Sequence, residues 1–281
     1  MSIIEVKGLK YRYPDTEKLA LNDLSFTIDK GEFIGVVGRN KAGKSTLCYA
    51  LAGLVPHFFS GAYGGKAIVN GLEIRAHEVE DIIVDVGLVF ENPFSQMTGS
   101  KFTVYEEVAF GLENKGINRF EMISRIEESL KLLDIETLKD KNPFSLSGGQ
   151  MQRVAIASVI ALKPEVLILD EPTSQLDPQG SEEVFQVVEE LTKEGITIIM
   201  AEHKIEKIAQ YSDRVLLLND GKLIDFDTPE KVFSRADLNE HGVSAPAATR
   251  IAKELDITVK QTGLYPITIA ELVEERRKLD D

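Results

Sequence analysis

Short apolar runs and helix-spaced apolar positions alternate along most of the chain. Near the start, residues 3–6 and 24–28 alternate apolar with polar side chains, a pattern that predicts strands. Residues 33–37 form a short apolar run, which is typical of a strand buried on both faces. Residues 44–54 then show the spacing of a helix. The first part of the chain is therefore predicted to combine strands with a helix that follows one of them.

The middle of the chain changes to a helical pattern. Residues 120–133 and 150–161 both place their apolar side chains at helical spacing. Further apolar strands are predicted at residues 84–89, 166–169, 197–200 and 215–218. Strands that alternate with helices predict a mainly parallel sheet covered on both faces. The helical block, at about residues 93–161, is then predicted to be an insertion into this α/β core.

The pattern loosens after about residue 225. Residues 242–246 are predicted to form a turn or linker, and residues 247–255 and 269–279 two short helices. A segment of this size rarely folds alone, so we expect it to pack against the core or a partner. The predicted organisation is one large domain, residues 1–225, with a small C-terminal appendage, residues 226–281.

Composition narrows the class of protein without indicating a function. Of the 281 residues, 43% are hydrophobic and 28% are charged, which is ordinary for a soluble globular chain. The net charge of −14 argues against general nucleic-acid binding. The single cysteine, Cys48, excludes an internal disulfide and a multi-cysteine zinc site. No apolar run approaches the roughly 20 residues of a membrane span. The first ten residues lack the apolar core of a secretory signal, so we expect none there.

A glycine-rich segment directly after the predicted strand 33–37 carries the first chemical motif. It reads G-R-N-K-A-G-K-S and fits G-x-x-x-x-G-K-[ST], the loop whose backbone N–H groups surround nucleotide phosphates. Lys44 can reach the β- and γ-phosphates, and the Ser45 hydroxyl can bind Mg²⁺. An ordinary glycine-containing turn is the alternative, but the lysine, the hydroxyl and the flanking elements together favour the phosphate loop. The predicted nucleotide-binding residues here are Gly38, Arg39, Asn40, Lys41, Ala42, Gly43, Lys44, Ser45 and Thr46.

Two consecutive carboxylates follow the predicted strand 166–169. Asp170 is predicted to hold Mg²⁺, directly or through water, and Glu171 to act as the general base on an attacking water. The end of a strand beside the phosphate loop would place Glu171 close to the γ-phosphate. Taken alone, this motif could also be a buried strand with a polar end. The two carboxylates together with the phosphate loop favour nucleotide hydrolysis.

A serine and two glycines lie at the predicted start of the helix 150–161, in the segment L-S-G-G-Q. Such residues at a helix N-terminus can bind an anion. A nucleotide has one γ-phosphate, and the chain already has a loop for it. We therefore predict that this segment binds the γ-phosphate of a nucleotide held by a second subunit. The alternative is an ordinary helix N-cap preceded by a flexible segment. The residues concerned are Ser147, Gly148, Gly149 and Gln150.

Over about residues 1–225, the ordered motifs resemble those of the ATP-binding-cassette (ABC) ATPases. The resemblance implies a P-loop NTPase fold of the α/β class. This fold has a parallel RecA-like sheet, an antiparallel β subdomain, an inserted helical subdomain and, here, a C-terminal appendage. It also implies Mg²⁺-dependent hydrolysis of ATP in a head-to-tail pair of subunits. Ser174 and Asp177 would belong to the D-loop, which contacts the opposite subunit; a plain turn is the alternative.

The same resemblance assigns an aromatic and a histidine to the nucleotide. Tyr13 would stack on adenine, with Tyr11 as the competing aromatic; a plain aromatic before Pro14 is the alternative for Tyr13. His203, just past the predicted strand 197–200, would be the switch histidine that contacts the γ-phosphate and orients the water. A lone histidine is more often structural, but its place at a strand end favours the switch. The predicted catalytic residues are Lys44, Glu171 and His203.

Local features extend the resemblance to the ATPase subunits of energy-coupling-factor transporters. They are the segments Y-R-Y-P at 11–14, V-G-L-V-F at 86–90 followed by N-P, V-A-F-G at 108–111, and Pro246 with P-I-T at 266–268. Members of that family drive uptake of vitamins, nickel or cobalt in prokaryotes. Two ATPases work under a transmembrane coupling subunit and a separate membrane substrate-binding subunit.

This closer resemblance implies partners and a location. We expect a second ATPase subunit, identical or homologous, held in part by the C-terminal appendage, and no nucleic-acid partner. We also expect a peripheral position at the cytoplasmic face of the cell membrane. Because an acidic chain avoids anionic lipid, docking should use a protein partner. The groove near residues 91–98 would receive its coupling helices.

Three residues depart from the family pattern. Glu91 stands where the Q-loop usually has glutamine; it keeps an oxygen ligand for Mg²⁺ but adds a charge, and Gln96 is the alternative for this position. Lys41 replaces a glycine, which costs about 1 kcal/mol if φ is positive there; otherwise its charge would favour phosphate binding. Gln175 replaces the usual alanine of the D-loop. Together they raise the possibility of an unequal ATPase pair with one weaker site.

Three rival functions differ from the predicted importer ATPase. A soluble ABC ATPase of DNA repair or translation would carry a long coiled-coil insertion, a basic surface or a second cassette, and this sequence shows none. A regulatory partner with an inactive site would bind nucleotide without turnover. A P-loop kinase is disfavoured by the L-S-G-G-Q segment.

Overall fold

Two β-sheets, eleven α-helices and five short 3-10 helices make up the computed structural model, which describes residues 1–280. The strands are β1 (Ser2–Arg12), β2 (Leu21–Asp29), β3 (Phe33–Val37), β4 (Ala62–Val69), β5 (Leu72–Glu73), β6 (Val86–Val89), β7 (Val166–Asp170), β8 (Thr197–Ala201), β9 (Arg214–Asn219) and β10 (Lys222–Asp227). The helices are α1 (Lys44–Leu51), α2 (Leu54–His57), α3 (Val79–Ile82), α4 (Val104–Asn114), α5 (Arg119–Leu132), α6 (Gly148–Ile160), α7 (Pro178–Lys193), α8 (Ile205–Tyr211), α9 (Pro229–Ser234), α10 (Ala247–Leu255) and α11 (Ile269–Asp280).

The larger sheet is parallel except at one edge. Its strand order is β10-β9-β3-β8-β7-β6, and only the β9–β10 pair is antiparallel. Every residue of β3, β7 and β8 is buried, as expected for strands covered by structure on both faces. The predicted mainly parallel sheet is therefore confirmed. The carboxyl ends of β3, β7 and β8 lie at the same edge, and the chemical motifs follow these ends.

The smaller sheet is antiparallel, with the order β2-β1-β4-β5. β1 pairs with β2 on one side and with β4 on the other. The predicted first strand, residues 3–6, was too short, and β4 was not predicted. Only Ala67 and Val69 of β4 are buried, and two glycines interrupt its alternation, so its local pattern is weak. Its pairing with β1 supplies the order that the local sequence lacks.

The predicted helix 44–54 ends earlier than expected. α1 stops at Leu51 because Gly53 adopts φ 79°, a left-handed conformation typical of the residue that terminates a helix. A short α2 then begins directly after Gly53. The end of the predicted helix was therefore wrong by one turn, and the reason is a glycine inside the apolar pattern.

Helices α4, α5 and α6 form the predicted helical block. Reciprocal hydrogen bonds between the side chains and backbones of Thr103 and Glu106 close the start of α4, and Asn118 caps α5. Apolar side chains of all three helices, including Val108 and Ile126, share one core with a face of the parallel sheet. The limits of this block as a separate subdomain, about 93–161, remain a prediction.

Residues after 225 pack in two ways. Val232, Phe233 and Leu238 join the core of the parallel sheet. Helices α10 and α11 instead pack against each other around a small separate cluster formed by Ala248, Ala252, Ile257 and Leu272. The division into residues 1–225 and 226–281 remains a prediction, and Asp281 lies outside the described residues. Within residues 1–280, no helix combines the length and the apolar character needed to cross a bilayer.

Candidate nucleotide-binding site

The glycine-rich loop lies between β3 and α1, pressed against neighbouring backbone. A Cβ at Gly38 would lie 2.3 Å from Leu218 O, and a Cβ at Gly43 would lie 2.6 Å from Ala20 O. Gly43 also has φ 109°. Only glycine fits at these two positions without displacing main chain. The loop can therefore turn tightly around an anion at the start of α1, where the helix dipole favours negative charge.

A cleft of about 670 Å³ opens above this loop. It collects predicted site residues from five separate parts of the chain. Its lining residues are Tyr13, Ala20, Asn40, Lys41, Gly43, Lys44, Ser45, Thr46, Glu91, Glu171 and His203. Ala20 was not predicted, because it has no motif of its own and reaches the cleft only through the folding of β1 and β2 beside the loop. The size and the lining suit a nucleotide.

The three predicted catalytic side chains meet in this cleft. Lys44 is 5% exposed, and its Nζ lies 3.4 Å from Glu171 Oε1 and 3.2 Å from His203 Nε2. His203 Nε2 lies 2.9 Å from the same Glu171 oxygen. Lys44 Nζ also donates to Gly38 O at 3.3 Å. A cation, a carboxylate and an imidazole are thus within reach of one reacting group.

The Glu171 backbone is held in an unusual conformation. Its φ is 49°, in the left-handed region that non-glycine residues rarely adopt. Its N–H donates to Ala201 O at 2.9 Å, which fixes the turn at the end of β7 against β8. Strain of this kind, of order 1 kcal/mol or more, is common where a side chain must be aimed at a site. Here the left-handed turn places the Glu171 carboxylate in the cleft.

Asp170 has the properties of a cation ligand. It is fully buried at the end of β7, and Ser45 Oγ donates to its Oδ1 at 3.0 Å. Oδ2 is also buried and has no hydrogen-bond partner among the described residues. Burial raises the pKa of Asp170 to about 6, and the nearby Glu171 and Glu91 carboxylates add to this, whereas the Ser45 hydrogen bond opposes it. A bound cation would satisfy Oδ2 and relieve the repulsion, so these residues fit Mg²⁺.

The two candidate tyrosines have different surroundings. Tyr11 is fully buried, and its hydroxyl donates to Phe59 O at 2.9 Å and Ser60 O at 3.0 Å. Tyr13 lines the cleft, and its hydroxyl lies 3.2 Å from Thr46 Oγ1. The Tyr13 ring packs edge-on against Tyr11, with ring centroids 4.8 Å apart. Tyr13 is therefore the tyrosine available to a base, and Tyr11 supports it.

We predict that Tyr13→Ala weakens ATP binding by about tenfold, because stacking of a base on an aromatic ring contributes about 1–3 kcal/mol. Tyr13→Phe keeps the ring and should bind ATP within about twofold of wild type. Titration of the full chain with ATP by calorimetry checks both. Tyr11→Phe is the control: it should lower the free energy of unfolding without changing ATP affinity. Equal affinities for Tyr13→Ala and wild type would show that adenine contacts another residue.

The two candidates for the Q-loop position, Glu91 and Gln96, also have different surroundings. Glu91 lines the cleft. Gln96 is tied to its surroundings instead: its Nε2 donates to Ala155 O at 3.0 Å, and its Oε1 accepts from Phe90 N at 3.3 Å. Both Gln96 bonds hold the loop against α6 and the end of β6. Of these two residues, only Glu91 lines the cleft, and its contact with a nucleotide remains a prediction.

Lys41 stands where the family usually has glycine, and it adopts a backbone conformation that is costly for a residue with a Cβ. Its φ is 66°. We predict that Lys41→Gly raises the free energy of unfolding by about 0.5–1 kcal/mol through relief of this strain. Lys41→Ala should give no such gain, because alanine keeps the Cβ that opposes positive φ. Urea denaturation of both variants checks this; an equal gain in both would assign it to the lost charge.

A second cleft, of about 550 Å³, is lined by the predicted residues of the L-S-G-G-Q segment and by Asp177. Ser147 caps α6: its Oγ accepts from Gln150 N at 3.3 Å, and Gln150 Oε1 accepts from Ser147 N at 3.2 Å. Gly148 and Gly149 also line this cleft, with Gln175, Leu176 and Asp177. Within residues 1–280, none of the second cleft's lining residues lines the first. The structure therefore keeps L-S-G-G-Q away from the chain's own phosphate loop.

Three predicted residues have more local roles as well. Ser174 is exposed in the turn after β7, where its N–H donates to Glu171 O at 3.1 Å. Asp177 caps α7 by accepting from Gly180 N at 2.7 Å. Arg39 does not line the first cleft; it forms an ion pair with Asp220 at 2.5 Å. These contacts order the two loops without excluding a partner.

Comparisons with known proteins agree with this geometry. The family model described as ABC transporter matches residues 21–174. The energy-coupling factor transporter ATP-binding protein EcfA1 of Streptococcus thermophilus is 41% identical over 97% of this chain and 97% of its own.

Among solved structures, cbiO1 from Clostridium perfringens, described as part of the ABC transporter complex cbiONQ, has a TM-score of 0.74 with 34% identity. That alignment covers 91% of this chain and 99% of cbiO1. The ATP-binding cassette MJ0796, a dimer bound to ADP and Pi, has a TM-score of 0.71 with 25% identity, over 80% of this chain and 98% of its own. The predicted fold class is confirmed.

Proposed function

Since this chain belongs to the ABC transporter family of ATPases, we propose that it is the ATP-binding subunit of an energy-coupling-factor importer. In this proposal, ATP hydrolysis drives uptake of a vitamin or a transition-metal ion. The names of two relatives support it: one is an energy-coupling factor transporter ATP-binding protein, and the other belongs to the cbiONQ transporter complex.

The observation that carries the proposal is the separation of the two clefts. One holds the phosphate loop with Lys44, Glu171 and His203; the other holds Ser147–Gln150 at the start of α6. A second ATPase subunit, identical or homologous, would place its own copy of the second cleft over this chain's nucleotide. Two such subunits would then enclose two ATP molecules head to tail. The dimeric relative MJ0796, solved with ADP and Pi, supports a paired arrangement.

Hydrolysis would use the cluster in the first cleft. Water adds to the γ-phosphorus, the bond from that phosphorus to the β–γ bridging oxygen breaks, and ADP and phosphate form. Glu171 accepts the proton of the attacking water, and His203 orients that water against the γ-phosphate. Lys44 leaves Glu171 to bind the β- and γ-phosphates. Before ATP arrives, the same lysine neutralises Glu171 at 3.4 Å.

Three residues would hold Mg²⁺ in this cleft: Ser45 and Asp170 directly or through water, and Glu91 from the Q-loop. When bound, the ion neutralises charge that develops on the phosphate oxygens. Ser45 and Asp170 are already positioned by their hydrogen bond of 3.0 Å, and the unpartnered Asp170 Oδ2 provides an acceptor. Glu91 would bring a negative charge where the family usually has a neutral amide.

The remaining partners would be a transmembrane coupling subunit and a membrane substrate-binding subunit, with this chain at the cytoplasmic face. The groove at residues 91–98 would receive the coupling helices. An apolar cleft of about 690 Å³ that includes Phe90 and Leu88 adjoins it, and the Phe94 ring is 57% exposed. The net charge of −14 supports docking on protein rather than on anionic lipid or nucleic acid.

A second candidate function is a low-activity partner in an unequal ATPase pair. Lys41 is strained in the phosphate loop, and Glu91 adds charge to the first cleft. Gln175 lies in the second cleft, where a Cβ on Gly148 would be 3.5 Å from its Oε1. All three catalytic side chains nevertheless meet in the first cleft. Slowed turnover is therefore favoured over a dead site.

Purification of the tagged chain from its native membrane tests the function. We expect it to bring down a membrane coupling subunit, a substrate-binding subunit and either one or two kinds of ATPase, with ATP turnover in the assembled complex. Two different ATPases would establish the unequal pair. A chain recovered with nucleic acid and no membrane protein would replace this proposal by a soluble ATPase. Nucleotide binding without turnover in the full complex would replace it by a regulatory role.

A further inference from the structure

A buried carboxylate lies beside the catalytic cluster without any role assigned to it so far. Glu202 follows β8, precedes His203 and is only 3% exposed. A buried carboxylate is costly unless several donors surround it. Its partners therefore indicate which parts of the chain it holds together.

The two oxygens of Glu202 bind two separate segments. Oε1 accepts hydrogen bonds from the backbone N–H of Thr173 at 3.1 Å and from the Thr173 hydroxyl. Oε2 accepts from the backbone N–H groups of His203 at 3.0 Å and Lys204 at 3.5 Å. Thr173 leads into the predicted D-loop, and His203 belongs to the catalytic cluster. One carboxylate thus joins these two loops.

Thr173 continues the connection towards the second cleft. Its carbonyl oxygen accepts hydrogen bonds from Leu176 N and from Lys204 Nζ, both at 3.2 Å. Leu176 packs against Gly149, where an added Cβ would lie 3.1 Å from Leu176 Cδ2. A continuous set of contacts therefore runs from the start of α6 to the backbone of His203.

The His203 ring depends on its backbone for its position. Its side chain is 45% exposed, so packing alone does not hold it. The ring must nevertheless stay close to Glu171 Oε1, now 2.9 Å away, to act on the same water. Since a displacement of about 1 Å in a catalytic group can cost about 100-fold in rate, the groups that hold this backbone matter for turnover.

We propose that Glu202 is a positioning residue that sets the place of His203 according to the position of the D-loop. The inference rests on the proposed function, in which the D-loop contacts the opposite subunit. A shift of the D-loop on pairing moves Thr173, and Glu202 passes that shift to the His203 backbone. Hydrolysis is thereby linked to the presence of the second subunit, while ATP binding by the phosphate loop is not.

Glu202→Gln is the sharpest test, because the amide keeps the shape of the side chain but has only one acceptor oxygen. It can accept from Thr173 or from His203, not from both. In the full chain with its transporter partners, we expect kcat for ATP to fall by about 10- to 100-fold with KM for ATP unchanged. Thermal unfolding of the same samples shows that the variant is folded.

Substitutions at Thr173 examine the other end of the link. Thr173→Val has nearly the same shape but no hydroxyl donor, and it should lower kcat in the same way, whereas Thr173→Ser keeps the donor and should not. The double variant Glu202→Gln/Thr173→Val should lose less than the product of the two single effects, because both break one connection. Glu32→Gln is the matched control. Its carboxylate accepts from Asp29 N at the opposite end of the sheet, so kcat should not change.

The outcomes separate this inference from the proposed function. Wild type without ATP turnover or without a paired ATPase would remove the proposed function and the inference with it. Wild-type turnover together with an unchanged kcat in Glu202→Gln would overturn the inference alone. So would a rise in KM for ATP with kcat unchanged, since Glu202 would then act on nucleotide binding.

Discussion

Glu171→Gln should reduce ATP turnover by at least about 100-fold while ATP binding is retained. The amide keeps the size of the side chain and the left-handed turn at φ 49°, but it cannot accept a proton from water. The phosphate loop and Tyr13 are unchanged, so the first cleft should still take ATP. Steady-state phosphate release by the full complex, together with ATP titration, measures both effects.

If the chain works as a pair, Glu171→Gln should also change the oligomeric state of the protein in the presence of ATP. If hydrolysis releases the two ATPases, Glu171→Gln should accumulate as an ATP-bound pair, visible by size-exclusion chromatography with light scattering. Glu165→Gln is the matched control, because it makes the same change at the other end of β7, where the carboxylate forms an ion pair with Lys30 at 2.6 Å. Its turnover should equal that of wild type. Normal turnover in Glu171→Gln would show that another group accepts the proton.

Gly148→Asp should abolish turnover without weakening ATP binding by the same chain. Gly148 is the first residue of α6 and lines the second cleft. A carboxylate there would repel the γ-phosphate of the opposite subunit's ATP. Acidic residues near a helix N-terminus are favourable to the helix itself, so the fold should be preserved. We expect turnover to fall by at least about 100-fold, comparable to the loss of a group that stabilises transition-state charge.

Two controls identify the cause. Gly148→Ala adds a Cβ that would lie 3.5 Å from Gln175 Oε1, an ordinary contact, and it should keep most of the turnover. If the chain pairs with itself, mixing Gly148→Asp chains with Lys44→Ala chains should restore part of the activity. In that mixed pair, one site combines an intact Lys44 with an intact Gly148. Wild-type turnover in Gly148→Asp would show that the second cleft does not contact nucleotide.

Different parts of the site were predictable to different degrees. The phosphate loop, the paired carboxylates and the L-S-G-G-Q segment are short motifs whose chemistry depends on near neighbours in sequence, and they occur next to the elements that their sequence predicts. The preference for Tyr13 over Tyr11 came from the resemblance, and the preference for Glu91 over Gln96 from the register with Phe90 and Asn92-Pro93, not from local chemistry. Each pair lies within a few residues, so only burial and hydrogen bonding in the folded chain separate them.

The sequence by itself determined the mainly parallel sheet, the loop that follows β3 and the carboxylates at the end of β7. Apolar runs and tight glycine turns act over a few residues, and local chemistry is sufficient for them. Only the tertiary structure decided that β4 pairs with β1, that Lys41 has positive φ and that the motifs occupy two clefts. It alone brought Glu202 to Thr173, 29 residues earlier in the chain. Such contacts depend on how sheets and helices pack against one another, and no local pattern of side chains specifies that arrangement.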